Sequence, residues 1–168
     1  MNILVVYSSR TGNTKRVAQS IADVLGVKAV DVKTNPDYTA FDLIVAGYWV
    51  DRGGPNHEMK SYLQGITHKK VALFSTLGAD PLSEHGKNSV AAGIDSLGDD
   101  STCVGTFICR GKVDPLLVEQ MKGRFPVGHP HAYTPEWLAR IDAAAAHPTE
   151  EDLESARLFA EQLKVTYH

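Results

Sequence analysis

The chain has 168 residues, 43% of them apolar and 22% charged, which suits one domain with a single sizeable core and excludes a disordered or fibrous chain. Lys and Arg number 17 against 20 Asp and Glu, a formal net charge of -3. No basic surface is then expected for nucleic acid, and the balance leans weakly toward a basic protein partner. The opening Asn2-Ile3-Leu4-Val5-Val6-Tyr7 lacks the basic region and cleavage site of a signal peptide, and no apolar run approaches the ~20 residues of a membrane span. These features predict a cytoplasmic protein with no membrane association.

Taken in chain order, apolar runs alternate with amphipathic stretches. Ile3 to Tyr7 reads as a strand buried on both faces. Val17, Ala18, Ile21, Ala22 and Leu25 then mark one face of a helix that starts near Thr14 and stops at Gly26. Val27 to Val32 predicts a second strand and Asp42 to Tyr48 a third. Met59, Tyr62, Leu63 and Ile66 form the next helical stripe, behind a turn at Arg52-Gly53-Gly54-Pro55 and an Asn56 cap. Lys70 to Thr76 predicts a fourth strand, and Ser83 caps a helix carrying Val90, Ile94 and Leu97. Thr102 to Cys109 is the fifth strand. Its two cysteines, Cys103 and Cys109, share a parity, which places both on one face roughly 20 Å apart at ~3.3 Å per residue and excludes a disulfide between them.

The last helix starts at Thr149-Glu150-Glu151-Asp152, which resembles a capping box, and continues through Leu153, Ala156, Ala160 and Leu163. Between it and the fifth strand lie about 40 residues, Arg110 to Pro148, read as an ordered excursion over one end of the sheet. Short helices are predicted there near Pro115 to Lys122 and Pro135 to Ala145. The excursion also carries His129-Pro130-His131, with no neighbouring carboxylate or Cys to complete a metal set, and Phe125 and Tyr133, read as local packing. Arg110 is expected as a salt-bridged residue at the rim. Five strands each followed by a helix predict a single doubly wound α/β domain over residues 1–168.

The informative motif is Ser8-Ser9-Arg10-Thr11-Gly12-Asn13-Thr14, between the first strand and the first helix. In open α/β sheets ligands sit outside the C-terminal ends of the strands. A hydroxyl-rich loop leading into a helix N-terminus offers side-chain donors, free N–H groups and the positive end of the dipole, which suits a terminal phosphate. The rival reading is a polar turn that merely caps the helix. No Gly-Lys-[Ser/Thr] ending is present, and no Gly-x-Gly-x-x-Gly, so neither a triphosphate loop nor a dinucleotide fingerprint is formed.

The loop resembles the FMN-phosphate loop of the flavodoxins, and the order of elements is similar to that family over most of the chain. Gly47-Tyr48-Trp49-Val50-Asp51-Arg52-Gly53 and Thr76-Leu77-Gly78-Ala79 look like a flavodoxin-domain branch. The resemblance implies a three-layer flavodoxin-like fold with five parallel strands in the order 2-1-3-4-5. It implies an FMN phosphate held by Ser8, Ser9, Arg10, Thr11, Gly12, Asn13 and Thr14. The flavin ring would lie between Tyr48, Trp49, Val50, Arg52 and Gly53 on one side and Thr76, Leu77, Gly78 and Ala79 on the other. Trp49 would stack on the ring, and the Gly53 peptide would face its N5 edge. In this sequence the loop Leu77-Gly78-Ala79-Asp80-Pro81-Leu82 has no aromatic for the outer face. That face is then open to a small-molecule substrate, covered by Leu77 or Leu82, or roofed by the excursion. The expected function is electron transfer to a redox partner protein. An FMN-dependent oxidoreductase acting on a quinone-like or tetrapyrrole-like molecule and a flavin-free interaction module are the alternatives.

Overall fold

The computed structural model describes residues 1–124, 128–129 and 134–167. Its apolar runs become strands β1 (Ile3–Tyr7), β2 (Ala29–Asp31), β3 (Leu43–Asp51), β5 (Lys70–Leu77) and β6 (Thr102–Arg110), all parallel, in the order β2-β1-β3-β5-β6. Counting only these five gives the expected order 2-1-3-4-5. The additional β4 (Gly54–Pro55) is a two-residue strand antiparallel to the end of β3. β1 is buried at every residue, because helices cover both faces of the sheet.

The helices are α1 (Asn13–Leu25), α2 (His57–Gly65), α3 (Glu84–Asp95), α4 (Pro115–Met121), α5 (Pro135–Ala144) and α6 (Glu150–Tyr167). On one face Val17 and Ile21 of α1 and Leu153 and Phe159 of α6 pack with Val5, Val45 and Phe74. On the other, Met59 and Leu63 of α2 cover Leu4, Val6, Ile44 and Leu73. The alternation of strand residues between two apolar layers is what the near-continuous hydrophobic runs encode.

Three expectations are corrected. The second strand is shorter than Val27 to Val32, because Gly26 ends α1 in a left-handed cap and Asp31 bends the chain into a single turn at Val32–Thr34. β3 runs past Tyr48 to Asp51, because a two-residue turn at Arg52-Gly53 folds it back onto β4. Both turn residues have positive φ (51° and 82°), as tight hairpin turns require. The two cysteines do not share a face: Cys103 packs with the α2-side cluster and Cys109 with the α1/α6-side cluster. The pairing slips by one residue between Val71 and Ala72, with Cys103 opposite Val71 and Gly105 opposite Ala72, which reverses the parity of the strand.

Burial pushes the Cys109 thiol up to about 12, with Asp152 adding to the shift, so almost no thiolate forms at neutral pH. A thiol reagent at pH 8 is expected to modify the half-buried Cys103 in the native protein, and Cys109 only after unfolding. Rapid native modification of both would contradict this burial.

The capping box before α6 is reciprocal: the Asp152 N–H donates to Thr149 Oγ1 at 3.2 Å, and the Thr149 N–H donates to Asp152 Oδ2 at 2.8 Å. Asp152 also meets His147 Nδ1 at 2.5 Å, fastening the end of the excursion to α6. Thr149→Ala is expected to cost about 1 kcal/mol, seen as a lower urea midpoint at unchanged slope.

Candidate functional site

At the C-terminal edge of the sheet the chain encloses a cavity of about 830 Å³. The loop after β1, the β3–β4 hairpin, the end of β5 and the first part of the excursion all contribute to its wall. This is the position at which an open parallel sheet leaves a crevice between connections that run to opposite faces.

The loop after β1 leaves the start of α1 uncapped. Gly12 takes φ 100° and occupies the N-cap position of α1 with no side chain capping the helix. The first helical bond is Arg16 N–H to Gly12 O, and the N–H groups of Asn13, Thr14 and Lys15 have no acceptor among the described residues. Ser9 Oγ accepts from the Gly12 N–H at 3.1 Å, which bends the loop toward the cavity. Thr14 is buried and its Oγ1 lies 2.9 Å from Thr76 Oγ1, tying the start of α1 to the end of β5. Ser9, Arg10, Thr11, Asn13 and Thr14 all line the cavity. Ser8 does not: it is buried, accepts from Asn56 Nδ2 at 2.7 Å and meets Glu58 Oε2 at 3.3 Å. Its hydroxyl therefore braces the loop from behind.

Trp49, Val50, Arg52 and Gly53 line the second wall, and Thr76, Leu77 and Gly78 the third. Tyr48 sits elsewhere. It is 1% exposed, faces the α2-side cluster, and its hydroxyl donates to Ser89 O at 3.0 Å. Strand alternation explains the split, since adjacent residues of β3 point to opposite faces. Burial raises the Tyr48 hydroxyl to about 12, which keeps it a donor. Gly12 and Ala79 belong to the same loops as the lining residues without lining the cavity themselves.

The excursion contributes a wall that sequence reasoning left without residues. Gly111 N–H donates to Leu77 O at 2.9 Å, continuing from β6. Asn13 Nδ2 donates to Lys112 O at 2.8 Å, and a Cβ on Gly111 would meet that side chain at 2.8 Å. A Cβ on Gly78 would likewise meet Val113 Cγ2 at 2.4 Å, so the loop after β5 fits directly beneath the excursion. Asp114 caps α4 through the Leu116 N–H at 2.9 Å and pairs with Arg10 at 3.2 Å. The Arg10 guanidinium in turn lies 5.7 Å from the centroid of the Trp49 ring. Leu117 and Met121 of α4, with Arg124 beyond it, complete this side, while His85 adds a polar group from α3. The short helix expected near Pro115 to Lys122 is α4, capped by Asp114, and the excursion lies over one end of the sheet as its length suggested; which of its residues reach the cavity is decided by packing.

Leu82, one of the expected covers, is 81% exposed and outside the cavity. Arg110 makes no ion pair among the described residues; its Nε is buried without a partner, and it does not line the cavity. The readings placed on Phe125, His131 and Tyr133 lie outside the described residues. No helix among the described residues is long and apolar enough to cross a membrane.

A parallel sheet in this order, with a hydroxyl-rich loop and an uncapped helix start at its switch point, defines the doubly wound class, in which ligands sit outside the strand ends. A family model described as Flavodoxin domain matches residues 4–161, and the chain belongs to that family. It is 32% identical over 171 residues to the flavodoxin-like domain-containing protein BilS of Clostridioides difficile (strain CD3), covering 98% of this chain and 97% of that one. Identity to the protein of the same name from Clostridium symbiosum (strain WAL-14163) is 22%, over 95% and 94% of the two chains. Among solved structures, oxidised flavodoxin 2 from Bacillus cereus superposes with a TM-score of 0.60 at 20% identity, over 99% of this chain and all of that one.

Proposed function

We propose that the protein binds one FMN in this cavity and carries electrons to a partner protein. The observation that carries the reading is the uncapped start of α1: three N–H groups have no acceptor among the described residues, and Ser9, Thr11 and Thr14 beside them all line the cavity. This donor set fits a phosphate monoester, which takes several hydrogen bonds and gains from the helix dipole. The second support is that Trp49 lines the same cavity as Leu77 and Gly78 at the ends of neighbouring strands, an aromatic side chain and a glycine-bearing loop that suit a flat ring. FMN when bound supplies the redox chemistry. The chain holds the phosphate through the loop, excludes water from the ring with Trp49 and Leu77, and presents the Arg52-Gly53 peptide to the ring edge.

The apolar side chains Val113, Leu117 and Met121 on the fourth wall favour a second reading, an oxidoreductase whose small-molecule substrate packs between ring and excursion. Anaerobic stepwise reduction of the reconstituted protein decides between them. Accumulation of one-electron-reduced flavin supports the carrier, whereas direct passage to full reduction supports the oxidoreductase.

Thr14→Val is expected to weaken FMN about tenfold or more in a fluorescence titration, because it removes one donor to a dianion and the Thr76 contact that positions it. Unchanged affinity would remove Thr14 from the site. Trp49→Ala is expected to shift the flavin potentials while leaving the thermal midpoint within a few degrees, since the indole is only half-buried.

A further inference from the structure

Strand alternation puts Ala72 and Phe74 of β5 in the layer that packs against α1 and α6, and Thr76 continues the same side of the strand. Its side chain meets the first turn of α1, where Thr76 Oγ1 lies 2.9 Å from Thr14 Oγ1. The two residues are 3% and 1% exposed, and both line the cavity. Neither hydroxyl has another hydrogen-bond partner among the described residues.

A threonine hydroxyl carries one proton and two acceptor sites. The pair spends one of its two protons between its own oxygens, so one donor is left over. The direction of the shared bond decides which residue keeps it. A phosphate dianion offers acceptor oxygens and no donor, so a Thr14 hydroxyl that binds one has to donate to it. The shared bond then runs from Thr76 to Thr14.

We propose that Thr76 is a positioning residue for the FMN phosphate rather than a ring contact. It donates to Thr14, aims the Thr14 proton at the phosphate, and so sets part of the preference for FMN over riboflavin, the same flavin without its phosphate. The proposal rests on the FMN reading. Two hydroxyls in series, ending on a dianion, polarise one another, and each bond is stronger than a lone one. Riboflavin ends instead in a neutral hydroxyl that can donate or accept, so it gains little from a fixed direction. The N–H groups of Asn13, Thr14 and Lys15 remain available without Thr76, so its loss weakens phosphate binding without abolishing it.

The test titrates FMN and riboflavin, followed by flavin fluorescence, into the flavin-free chain and its variants. Thr76→Val keeps the shape and removes the proton; it is expected to weaken FMN about fivefold or more and riboflavin less than about twofold. Thr76→Ser, which keeps the hydroxyl, is expected to bind both within about twofold of the parent. In the background of Thr14→Val, adding Thr76→Val should cost FMN nothing further, because Thr76 acts through that hydroxyl. Unchanged FMN affinity in Thr76→Val overturns the proposal. An equal loss for both flavins also overturns it, and places Thr76 against the ring or the ribityl chain. The thermal midpoint of each flavin-free form reports folding, and Thr76→Ala carries the same comparison if Thr76→Val does not fold. A parent chain that binds neither flavin removes the FMN reading and the proposal together, whereas a parent that binds FMN leaves the variants to decide the role of Thr76 alone.

Discussion

Gly47→Ala is expected to lower stability by about 3 kcal/mol, toward the upper end of what overpacking a core costs. Gly47 is buried in the central strand β3, and a Cβ built there would lie 2.0 and 2.1 Å from two atoms of the Phe74 ring. Phe74 is itself fully buried among residues of α1 and α6, including Val17, Ile21 and Phe159, so the ring has no solvent-facing direction in which to retreat. For a chain of this length the loss corresponds to roughly 6–12 °C in the thermal midpoint. Phe74→Leu alone should also destabilise, by leaving a void. Combined with Gly47→Ala, however, it should cost clearly less than the sum of the two single changes, since each relieves the strain of the other. Additive costs would show that the ring and the missing Cβ do not share the same space. Gly47 O also accepts from the Ser8 N–H at 2.9 Å, so a displaced β3 would carry the start of the loop after β1 with it.

Thr11→Asp is expected to weaken FMN by more than a hundredfold without changing the fold. Thr11 is exposed, and its hydroxyl accepts a single 3.4 Å hydrogen bond, from Asn13 Nδ2, among the described residues, so the substitution removes little from the unliganded protein. With FMN present, a carboxylate would face a dianionic phosphate. Repulsion between two unit charges 4 Å apart is about 4 kcal/mol at an effective dielectric of 20, more than the 2.7 kcal/mol that a hundredfold requires. Thr11→Ser, which keeps the hydroxyl, should bind within a few-fold of the parent. Isothermal titration with FMN at fixed salt, alongside the thermal midpoint of each variant, separates lost binding from lost folding. Near-parental affinity in Thr11→Asp would place the phosphate away from this loop.

The fold was legible because its signals are local. Continuous apolar runs such as Leu43–Tyr48 mark strands covered on both faces, and Gly26, Ser83 and Thr149 mark helix ends by chemistry confined to a few residues. The uncapped, hydroxyl-rich start of α1 was legible for the same reason, since Ser9, Thr11, Gly12 and Thr14 lie within one turn of it. Contacts across long sequence distances were not. The switch of Cys103 to the opposite face depends on a slip of β6 against β5, and pairing register is decided by the neighbouring strand. Tyr48 and Trp49 are equivalent as a sequence pair, and only the orientation of β3 assigns one to the core and the other to the cavity. The excursion was legible only in outline. Its two short helices and its place over one end of the sheet could be read, yet the residues that meet the cavity are set by Asn13 reaching Lys112 and by Val113 fitting against Gly78, side chains and backbone 99 and 35 residues apart. Residues alone thus specify the sheet and the hydroxyl-rich loop after β1, because each segment carries its own signal. The fourth wall exists only once packing brings separate segments to one cavity.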